Sequence, residues 1–532
     1  MWSTIAPAEM KRIETNAMAR GLCTGEELMQ RAALAVAEAV RRCRRTGKVI
    51  ALCGTGNNGG DAFAAMRILA ADDAFSGECW LLDGRLSQDG QRELNRLQQE
   101  FPQVIIRQLR SESEYAQKGV LLDETGKTIT LDESVGCLID GLFGTGLSRP
   151  VAGTAAALCR LACEAYEAGV PVIAVDIPSG LCGSTGQVLG HAVHATETIT
   201  FHRPKPGLFL RQGLDGSGRI TVSYIELLPA WDDADGLPVC QPEDVPTLLP
   251  CRNRTGHKGD HGRVTLLCGS TGMAGAAALA ATAALRTGAG LVTVACPESI
   301  LNIVQTLCPC ATCLPLSGNV QEAWAQLKPL LENADALGMG CGMGQSLWAQ
   351  GMVRHMFQWL SCQPLPAVID ADALNLLSQM DATELNLSHC ILTPHPGEAA
   401  RLLGSSVAEI INDAPGSANQ LHKQYGASIV LKGATSVLVT AEGAALHVLG
   451  TSAMGKGGSG DVLTGVLCAL LAERTRQPHH ATMLTVLQAG CGLHGLAGCA
   501  AEKRYGNRGV LATDLCRYLG LAAEPGRCNT CP

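Results

Sequence analysis

The sequence predicts an α/β fold in which helices cover both faces of parallel sheets. Short apolar runs, such as Lys48–Cys53 and Pro171–Val175, alternate with helical segments such as Glu26–Arg42. Continuous apolar strands separated by helices are typical of a parallel sheet that is buried on both sides. Composition agrees, because 61 of the 532 residues are glycine and only 4% are aromatic. This favours α/β layers with tight turns over an all-β sandwich.

A proline-rich, acidic stretch divides the chain. Five prolines and five acidic residues fall between Leu228 and Pro250, a composition typical of a linker rather than a packed element. We therefore expect a first domain over residues 1–228, a linker over 229–250, a second domain over 251–520 and a tail over 521–532. The length alone suggests two to four domains of ~150 residues each.

The first domain is predicted to open with the helix Glu26–Arg42, whose apolar residues recur at helical spacing. Short apolar runs then predict strands at 48–53, 136–139, 171–175 and 198–201. In the second domain, similar runs predict strands at 263–268, 290–295, 336–338, 367–369, 390–392, 428–431 and 436–440. Two closing helices are predicted over 461–471 and 481–497. The second sheet should therefore be the larger of the two.

No membrane or secretory segment is predicted. Charged residues such as Glu9 and Lys11 interrupt the N-terminal region, which argues against a signal peptide. The longest uncharged span, Val264–Leu285, is interrupted by G-S-T-G-M-A-G, so it indicates a strand, a glycine loop and a buried helix. We expect a cytoplasmic protein.

The net charge argues against a nucleic-acid-binding protein, and the positions of the cysteines argue against a zinc site. The net charge of −8 and the scarcity of aromatic residues argue against nucleic-acid binding. The 24 cysteines mostly occupy apolar runs and are interpreted as small buried hydrophobic residues. Two clusters, Cys308/Cys310/Cys313 and Cys528/Cys531, are interpreted as incidental, since a zinc site would have to join two remote segments.

Three glycine- and aspartate-containing motifs follow strands of the first domain: G-T-G-N-N-G-G-D (Gly54–Asp61), D-G-L-F-G-T-G-L-S-R (Asp140–Arg149) and D-I-P-S-G-L (Asp176–Leu181). The carboxyl ends of parallel strands meet at one sheet edge, where ligands bind. Any single motif could be ordinary turn chemistry, but three in succession favour one shared pocket.

The side chains in these motifs suggest two functions. Asp61 and Asp176 could act as an acid and a base if burial keeps one of them protonated. Asn58, Asp140 and Ser179 offer oxygen atoms suited to a hard cation, and the low charge favours a monovalent ion or Mg²⁺ over zinc.

The second domain carries a glycine run, G-K-G-G-S-G-D-V-L-T-G (Gly455–Gly465), that opens directly into a helical pattern. Consecutive backbone N–H groups at a helix N-terminus bind anions, and Asp461 would lie in the first turn as a base beside the bound phosphate. Other polar motifs are more ambiguous when taken alone. His395 could be a turn residue, Asp370 and Asp372 helix caps, and Lys432 a surface lysine.

Together these motifs resemble the bifunctional NAD(P)H-hydrate repair enzymes. The three motifs of the first half, with E-E-L-M-Q-R-A-A (Glu26–Ala33), resemble the epimerase half of that family. H-K-G-D-H-G, L-R-T-G-A-G-L-V, D-A-D-A-L-N, L-T-P-H-P-G-E and G-G-S-G-D-V-L-T-G resemble its ribokinase-like dehydratase half. The resemblance implies two three-layer α/β/α domains, a Rossmann-like N-terminal domain and a ribokinase-like C-terminal domain. One departure is Ala62, where the family pattern has glycine.

The resemblance implies that the first domain interconverts the R and S hydrates of NADH and NADPH, with potassium bound by Asn58, Asp140 and Ser179. Asp61 and Asp176 would be catalytic. The residues implied to bind the hydrate are Asn57, Asn58, Gly59, Gly60, Asp61, Gly144, Thr145, Gly146, Leu147, Ser148, Arg149, Pro150 and Asp176.

The resemblance also implies that the second domain dehydrates the S hydrate at the expense of ADP, with Mg²⁺, giving AMP and phosphate. Asp461 would be its catalytic base, and Ala276, Gly342 and His395 would contact the hydrate together with Asp461. The residues implied to bind ADP or AMP are Lys432, Gly433, Ala434, Thr435, Ser436, Gly458, Ser459 and Gly460.

Two other functions remain open from the sequence. The anion-binding glycine run would also serve a kinase of a small alcohol or vitamin precursor, fused to a ligand-binding domain. A non-catalytic, RNA-binding first domain is the second alternative, against which the net charge of −8 weighs. The expected partners are small molecules, namely the hydrated nucleotides and ADP, without nucleic acid or membrane, and we expect a homo-oligomer.

Overall fold

The computed structural model describes residues 1–73, 75–110, 121–227, 232, 234–250, 252, 254–381, 385–477 and 481–524. The chain folds as two compact units that divide between Leu237 and Pro238. The predicted tail, with Cys528 and Cys531, lies outside the described residues from position 525 onward. Positions 229–231 and 233 of the predicted linker lie outside them as well.

The first unit is a parallel sheet between helices. Its strands are β1 (Trp2–Ser3), β2 (Lys48–Cys53), β3 (Gly77–Leu81), β4 (Ile105–Gln108), β5 (Leu121–Leu122), β6 (Thr128–Ile129), β7 (Val135–Gly141), β8 (Val172–Val175), β9 (Glu197–Phe201) and β10 (Arg219–Ser223). Its helices are α1 (Pro7–Ala19), α2 (Gly25–Cys43), α3 (Asn57–Ala70), α4 (Gln88–Glu100), α5 (Gly153–Glu167) and α6 (Gly213–Gly216). The main sheet has the order β10-β9-β8-β7-β2-β3-β4, and every neighbouring pair in it is parallel.

The second unit has a longer, mostly parallel sheet. Its strands are β11 (Pro238–Val239), β12 (Arg263–Leu267), β13 (Leu291–Pro297), β14 (Thr312–Leu316), β15 (Ala336–Met339), β16 (Ala367–Ile369), β17 (Cys390–Leu392), β18 (Ser428–Leu431), β19 (Ser436–Thr440) and β20 (Gly443–His447). They run in the order β11-β20-β19-β18-β17-β16-β15-β12-β13-β14. Only β19 is antiparallel to its neighbours among these strands.

The helices of the second unit are α7 (Ala274–Thr287), α8 (Leu301–Leu307), α9 (Val320–Leu331), α10 (Leu347–Cys362), α11 (Ala371–Leu377), α12 (Pro396–Leu403), α13 (Val407–Asn412), α14 (Ala414–Tyr425), α15 (Ser459–Arg476), α16 (Met483–Tyr505) and α17 (Ala512–Ala522). The α/β class, the parallel sheets and the larger second sheet predicted from the sequence are thereby confirmed. The uncharged span from Val264 is a strand, a loop and the alanine-rich helix α7, as predicted.

Part of the predicted linker is packed rather than solvated. Val239 pairs with Leu446 of β20, and the 3-10 helix Val245–Leu248 places Val245 fully out of solvent. The prolines misled the prediction because Pro238 and Pro246 occupy the start of a strand and the first turn of a helix, positions that need no backbone N–H.

One described helix, α16, has the length and composition of a membrane span, but 78% of its apolar window is buried within the fold. That burial is what a core helix of a globular domain shows.

The described cysteines are free thiols and most are buried, including Cys53, Cys268, Cys468 and Cys491. In the first cluster, Cys308 is buried and Cys310 is exposed.

Candidate active sites

The loops that follow β2 and β7 pack backbone against backbone. A Cβ atom on Gly54 would lie 1.8 Å from the Leu142 carbonyl oxygen, and one on Gly59 would lie 1.9 Å from the Gly54 oxygen. Only glycine fits at either position. The helix α3 begins at Asn57, and the Gly60 N–H donates to the Gly56 carbonyl, so the N–H groups of residues 57–59 lack a partner within the helix and favour an anion.

Asp140 and Ser179 meet at the carboxyl edge of the first sheet. The Ser179 hydroxyl donates to Asp140 Oδ1 at 2.6 Å, and the Ser179 N–H donates to Oδ2 at 2.8 Å. Burial raises the pKa of Asp140 to about 6, although the bonds from Ser179 lower it. Asn58 lies at the same edge, since its amide donates to the Val175 carbonyl at 2.8 Å. The structure thus gathers three of the predicted oxygen donors.

Asp176 forms a buried ion pair with Lys205. The Lys205 Nζ donates to Asp176 Oδ1 at 2.5 Å, and Thr200 Oγ1 and the Phe201 N–H reach the same oxygen at 3.2 Å. Lys205 is only 1% exposed. Asp176 adopts a φ of 66°, in the left-handed region that residues with a Cβ rarely occupy. The ion pair and two further donors therefore hold a strained residue in one orientation.

Asp61 is buried beside other acidic groups. Burial, followed by the charges of Asp176 and Glu14, raises the pKa of Asp61 well above its usual range. The pKa of Glu14 is itself raised to about 7, by burial first and then by Asp176, while Lys205 opposes the shift. The shift favours the protonated form of Asp61, and Glu14 titrates near neutral pH.

The loop predicted to bind substrate, Gly144–Pro150, is largely solvent-exposed. It borders the cluster just described, because a Cβ on Gly144 would lie 2.6 Å from Asn58 Oδ1. Ala62 is the departure from the family pattern, and its methyl group faces Gly141. A Cβ on Gly141 would lie 2.6 Å from the Ala62 Cβ, so the absence of a side chain at position 141 leaves room for the methyl group. The substitution therefore needs no displacement of α3.

Asp461 lies in the first turn of α15, as the glycine run predicts. Gly458 precedes the helix with a φ of 96°, a conformation that favours glycine. His494 Nε2 lies 3.0 Å from the Ser459 carbonyl and 3.2 Å from its hydroxyl. Burial lowers the pKa of His494 to about 4, so a neutral imidazole fixes this turn.

Asp370 and Lys432 form the central ion pair of the second unit. Lys432 Nζ donates to Asp370 Oδ1 at 2.7 Å, and Thr464 Oγ1 donates to Oδ2 at 3.0 Å. Burial alone would raise the pKa of Asp370, but Lys432 outweighs it and holds that pKa below its usual range. A Cβ on Gly460 would lie 3.4 Å from both Asp370 Oδ2 and Lys432 Nζ, so the first turn of α15 packs against this pair.

Asp461 faces the same charges. Burial raises its pKa to about 6, a hydrogen bond from the Cys341 thiol opposes the shift, and Asp370 adds to it. A carboxylate with such a pKa is ionised at neutral pH yet a stronger base than an exposed aspartate. Asp372, in contrast, accepts the Gly344 N–H at 2.7 Å and orders the preceding glycine loop.

The residues predicted to contact the hydrate come from separate segments of the second unit, and Ala276 lies in the first turn of α7. A Cβ on Gly342 would lie 2.8 Å from the Ala276 Cβ, so these two residues are in contact. His395 caps α12, where its Nδ1 accepts the Gly397 N–H at 3.0 Å, and its side chain is half exposed. Lys432 is joined to the His395 loop by a bond from its N–H to the Pro394 carbonyl at 2.8 Å.

Of the predicted nucleotide residues, Gly433, Ala434 and Thr435 lie in the open turn between β18 and β19, and Ser436 begins β19. The H-K-G-D-H-G motif lies elsewhere, at the amino end of β12 and so at the opposite edge of the sheet. There the Lys258 carbonyl lies so close to Gly290 that a Cβ would be 1.7 Å from it. The backbone of Lys258 therefore packs against Gly290, while the side chains of His257 and Lys258 are exposed.

Two residues of the first site, Lys205 and Glu14, are missing from the sequence prediction. Lys205 stands between two prolines directly after a buried strand, which is the signal that could have identified it. Glu14 offers a weaker signal, as an acidic residue beside the apolar Ile13 in a helical pattern.

Comparison with known proteins covers both units. Residues 264–520 match the family model described as NAD(P)H-hydrate dehydratase, and residues 25–207 match the YjeF-related protein N-terminus. The bifunctional NAD(P)H-hydrate repair enzyme Nnr of Escherichia coli is 35% identical over 90% of this chain and 85% of its own length. The enzyme of the same name from Coxiella burnetii is 33% identical over 97% of this chain and 98% of its own.

Among solved structures, the ADP/ATP-dependent NAD(P)H-hydrate dehydratase of Bacillus subtilis is 29% identical with a TM-score of 0.47, and it covers 54% of this chain and 98% of its own. The two sequence relatives extend across both units at more than 30% identity. The chain therefore belongs to the family of bifunctional NAD(P)H-hydrate repair enzymes.

Proposed function

We propose that this protein repairs hydrated nicotinamide nucleotides. The first domain interconverts the R and S hydrates of NADH and NADPH, and the second dehydrates the S hydrate at the expense of ADP, giving AMP and phosphate. The observation that carries this proposal is similarity to repair enzymes along nearly the whole chain. The buried carboxylates found at each candidate site support it.

The first site suits an epimerisation at C6 of the hydrate. C6 bears a hydroxyl group beside the ring nitrogen, so removal of the hydroxyl proton and protonation of the nitrogen open the ring to an aldehyde. Closure on the opposite face returns both protons and gives the other epimer. Asp61, whose pKa is raised by burial and by neighbouring carboxyl groups, supplies the acid, and Asp176, which is paired with Lys205, supplies the base. The exposed loop Gly144–Pro150, with residues 57–60, binds the nucleotide.

The oxygen cluster of the first site suits a monovalent cation. The hydrogen-bond donors that the structure gives Asp140 are neutral groups of Ser179 and Leu142, so a single positive charge would compensate this buried carboxylate. Asn58, Asp140 and Ser179 would hold potassium. Bound there, the ion would order the loops that end β2, β7 and β8 and would favour the nucleotide's phosphate groups.

The second site suits a phosphoryl transfer followed by elimination. Asp461 takes the proton of the C6 hydroxyl, whose oxygen attacks the terminal phosphorus of ADP and displaces AMP. The C6–O bond then breaks, phosphate leaves with the electron pair, and loss of the C5 proton restores the C5–C6 double bond. The N–H groups of Gly458–Gly460 and the turn Lys432–Ser436 bind the nucleotide, and Mg²⁺ enters with its phosphates. Ala276, Gly342 and His395 contact the hydrate.

The remaining expectations form part of the same proposal. The partners are the hydrated nucleotides and ADP, without nucleic acid or membrane, and the protein acts in the cytoplasm as a homo-oligomer. The burial of helix α16 within the fold supports its role as a core helix.

The test is recovery of reduced nicotinamide from a mixed pool of R and S hydrates, followed by absorbance near ~340 nm with potassium, magnesium and ADP or ATP. Complete recovery supports both activities, because a dehydratase alone stalls once the S epimer is consumed. A stall would overturn the assignment of the first domain. No recovery, with a stable phosphorylated product from another alcohol, would favour the small-alcohol kinase.

A further inference from the structure

The helix α16 packs closely against the segment that leads into the glycine run. A Cβ on Gly495 would lie 2.3 Å from the Leu449 carbonyl oxygen, and one on Gly498 would lie 2.2 Å from Met454 Sδ. The backbone of α16 therefore lies directly on residues 449–454. Because a close-packed helix cannot shift without moving its neighbour, this face of α16 keeps a fixed position relative to the start of the glycine run.

His494 lies beside Gly495 on this helix and reaches the first residue of α15. Its Nε2 lies 3.0 Å from the Ser459 carbonyl oxygen and 3.2 Å from the Ser459 hydroxyl oxygen. A carbonyl oxygen only accepts hydrogen bonds, so Nε2 carries a hydrogen and donates it. The imidazole thereby joins the middle of α16 to the helical turn in which Gly460 and Asp461 lie.

The hydroxyl group of Ser459 keeps its own hydrogen for a further bond. Because Nε2 is the donor, the hydroxyl oxygen accepts at this contact, and a hydroxyl group that accepts one hydrogen bond still has one to donate. Among the described residues, His494 is the only hydrogen-bond partner that the structure gives this hydroxyl group. It belongs to the first turn of α15, directly before Gly460, where the phosphate of ADP is proposed to bind.

We propose that His494 is a positioning residue of the ADP site, which holds Ser459 at the start of α15 and leaves the hydrogen of its hydroxyl group free for a phosphate oxygen. This inference rests on the proposed function of the second domain. His494 acts through Ser459 and not by contact with the nucleotide. A hydrogen bond to a charged phosphate is stronger than one between neutral groups, so loss of the orientation should weaken ADP binding.

The proposal requires an N–H donor at the reach of Nε2. Glutamine at position 494 would place its amide nitrogen near the position of Nε2, whereas asparagine would place it near Nδ1, closer to the backbone. Leucine would fill a similar space without any donor. The variant H494Q should therefore retain the orientation of Ser459, and H494N and H494L should lose it.

The test measures ADP binding to the full-length protein by isothermal titration calorimetry with Mg²⁺ and without hydrate, so that no turnover occurs. H494L and H494N should raise the Kd for ADP by about fivefold, the effect of one hydrogen bond, and H494Q should stay within about twofold of the native value. The matched control is H257L, because His257 is 76% exposed and lies at the opposite edge of the sheet. It should bind ADP as the native protein does.

A double-mutant cycle distinguishes action through Ser459 from a general structural role. S459A alone should raise the Kd by about fivefold. Adding H494L to S459A should change it by less than about twofold, because the hydroxyl group through which His494 acts is then absent. Melting temperatures check that each variant folds, and H494N provides the same comparison if H494L does not.

Three results would overturn the proposal. They are a native Kd in H494L and H494N, equal weakening in H494Q and H494L while both melt like the native protein, and a full fivefold further loss when H494L is added to S459A. Failure of the proposed function looks different. ADP binding by a native protein that leaves S hydrate unchanged would overturn the proposed function alone, and a native protein that binds no ADP would overturn both.

Discussion

Lys432 and Asp370 meet at 2.7 Å directly beside Gly460, in the first turn of α15. They come from the ends of two different strands, and Asp370 is 2% exposed. One charge pair thus joins the loop after β16, the end of β18 and the start of α15. This relationship makes the geometry of the second site depend on a few side chains.

Replacing Lys432 by methionine should destabilise the second domain. The buried Asp370 carboxylate would lose its cation, and loss of one partner of a buried pair costs about 3–5 kcal/mol. We expect a lower urea midpoint and loss of dehydratase activity. The double variant D370N/K432M should regain much of the stability without the activity. K423M, at an exposed lysine, is the matched control, and an unchanged midpoint in K432M would contradict the prediction.

Asp461→Asn should reduce the dehydratase kcat by about 10²–10⁴, the usual contribution of a general base, and should leave epimer interconversion intact. In the native protein the rate should fall as the pH drops through about 6, because the raised pKa of Asp461 means that protonation removes the base there. The pH profile of S-hydrate dehydration measures both effects. D413N, at a helix cap that asparagine also fills, should behave as the native protein does.

Ser179→Ala should weaken potassium binding. The hydroxyl contacts Asp140 and the Phe143 backbone, so its loss removes one oxygen donor and loosens another, with an expected drop of about 10–100-fold in affinity. Potassium should raise the Tm and the epimerase rate of the native protein but not of S179A, at constant ionic strength. S184A, in an exposed turn nearby, is the control. An equal response to lithium would argue against a selective potassium site.

Ser459→Ala should raise the KM for ADP by about fivefold, the effect of one hydrogen bond, because the hydroxyl lies at the N-terminus of α15 and contacts His494. Ser459→Thr keeps the hydroxyl group and should remain near the native value. Initial-rate kinetics with saturating S hydrate separate KM from kcat. S405A, at an exposed serine of the same domain, controls for general effects. Equal KM values in S459A and the native protein would exclude this role.

Most buried strands were predictable because an apolar run is a local signal, but the buried β3 escaped because Gly77 and Glu78 interrupt its run. The structure agrees with runs such as Lys48–Cys53 and Ser428–Leu431. Strands that escaped the prediction include the sheet edges Ile105–Gln108 and Arg219–Ser223. Their residues are largely half-buried or exposed, so they lack the continuous apolar pattern of a central strand.

In the candidate sites too, some features were predictable from the sequence and others were not. Glycine runs revealed the loops at the sheet edges, since a backbone that approaches a ligand closely needs glycine locally. The ion pairs Lys205–Asp176 and Lys432–Asp370 were not predictable, because each joins residues that only the sheet topology brings together. Glu14 escaped for the same reason, as its significance depends on the carboxylates that surround it.

The left-handed backbone conformation of Asp176 means that selection for stability and selection for the proposed catalytic role favour different residues at this position. Such a conformation costs about 1 kcal/mol or more in a residue with a Cβ, and glycine would relieve it. Glycine at position 176 would also leave the buried Lys205 ammonium without its carboxylate. A more stable protein would therefore require that positions 176 and 205 change together. Inactive descendants of this domain, freed from catalysis, should therefore lose the aspartate and the lysine as a pair.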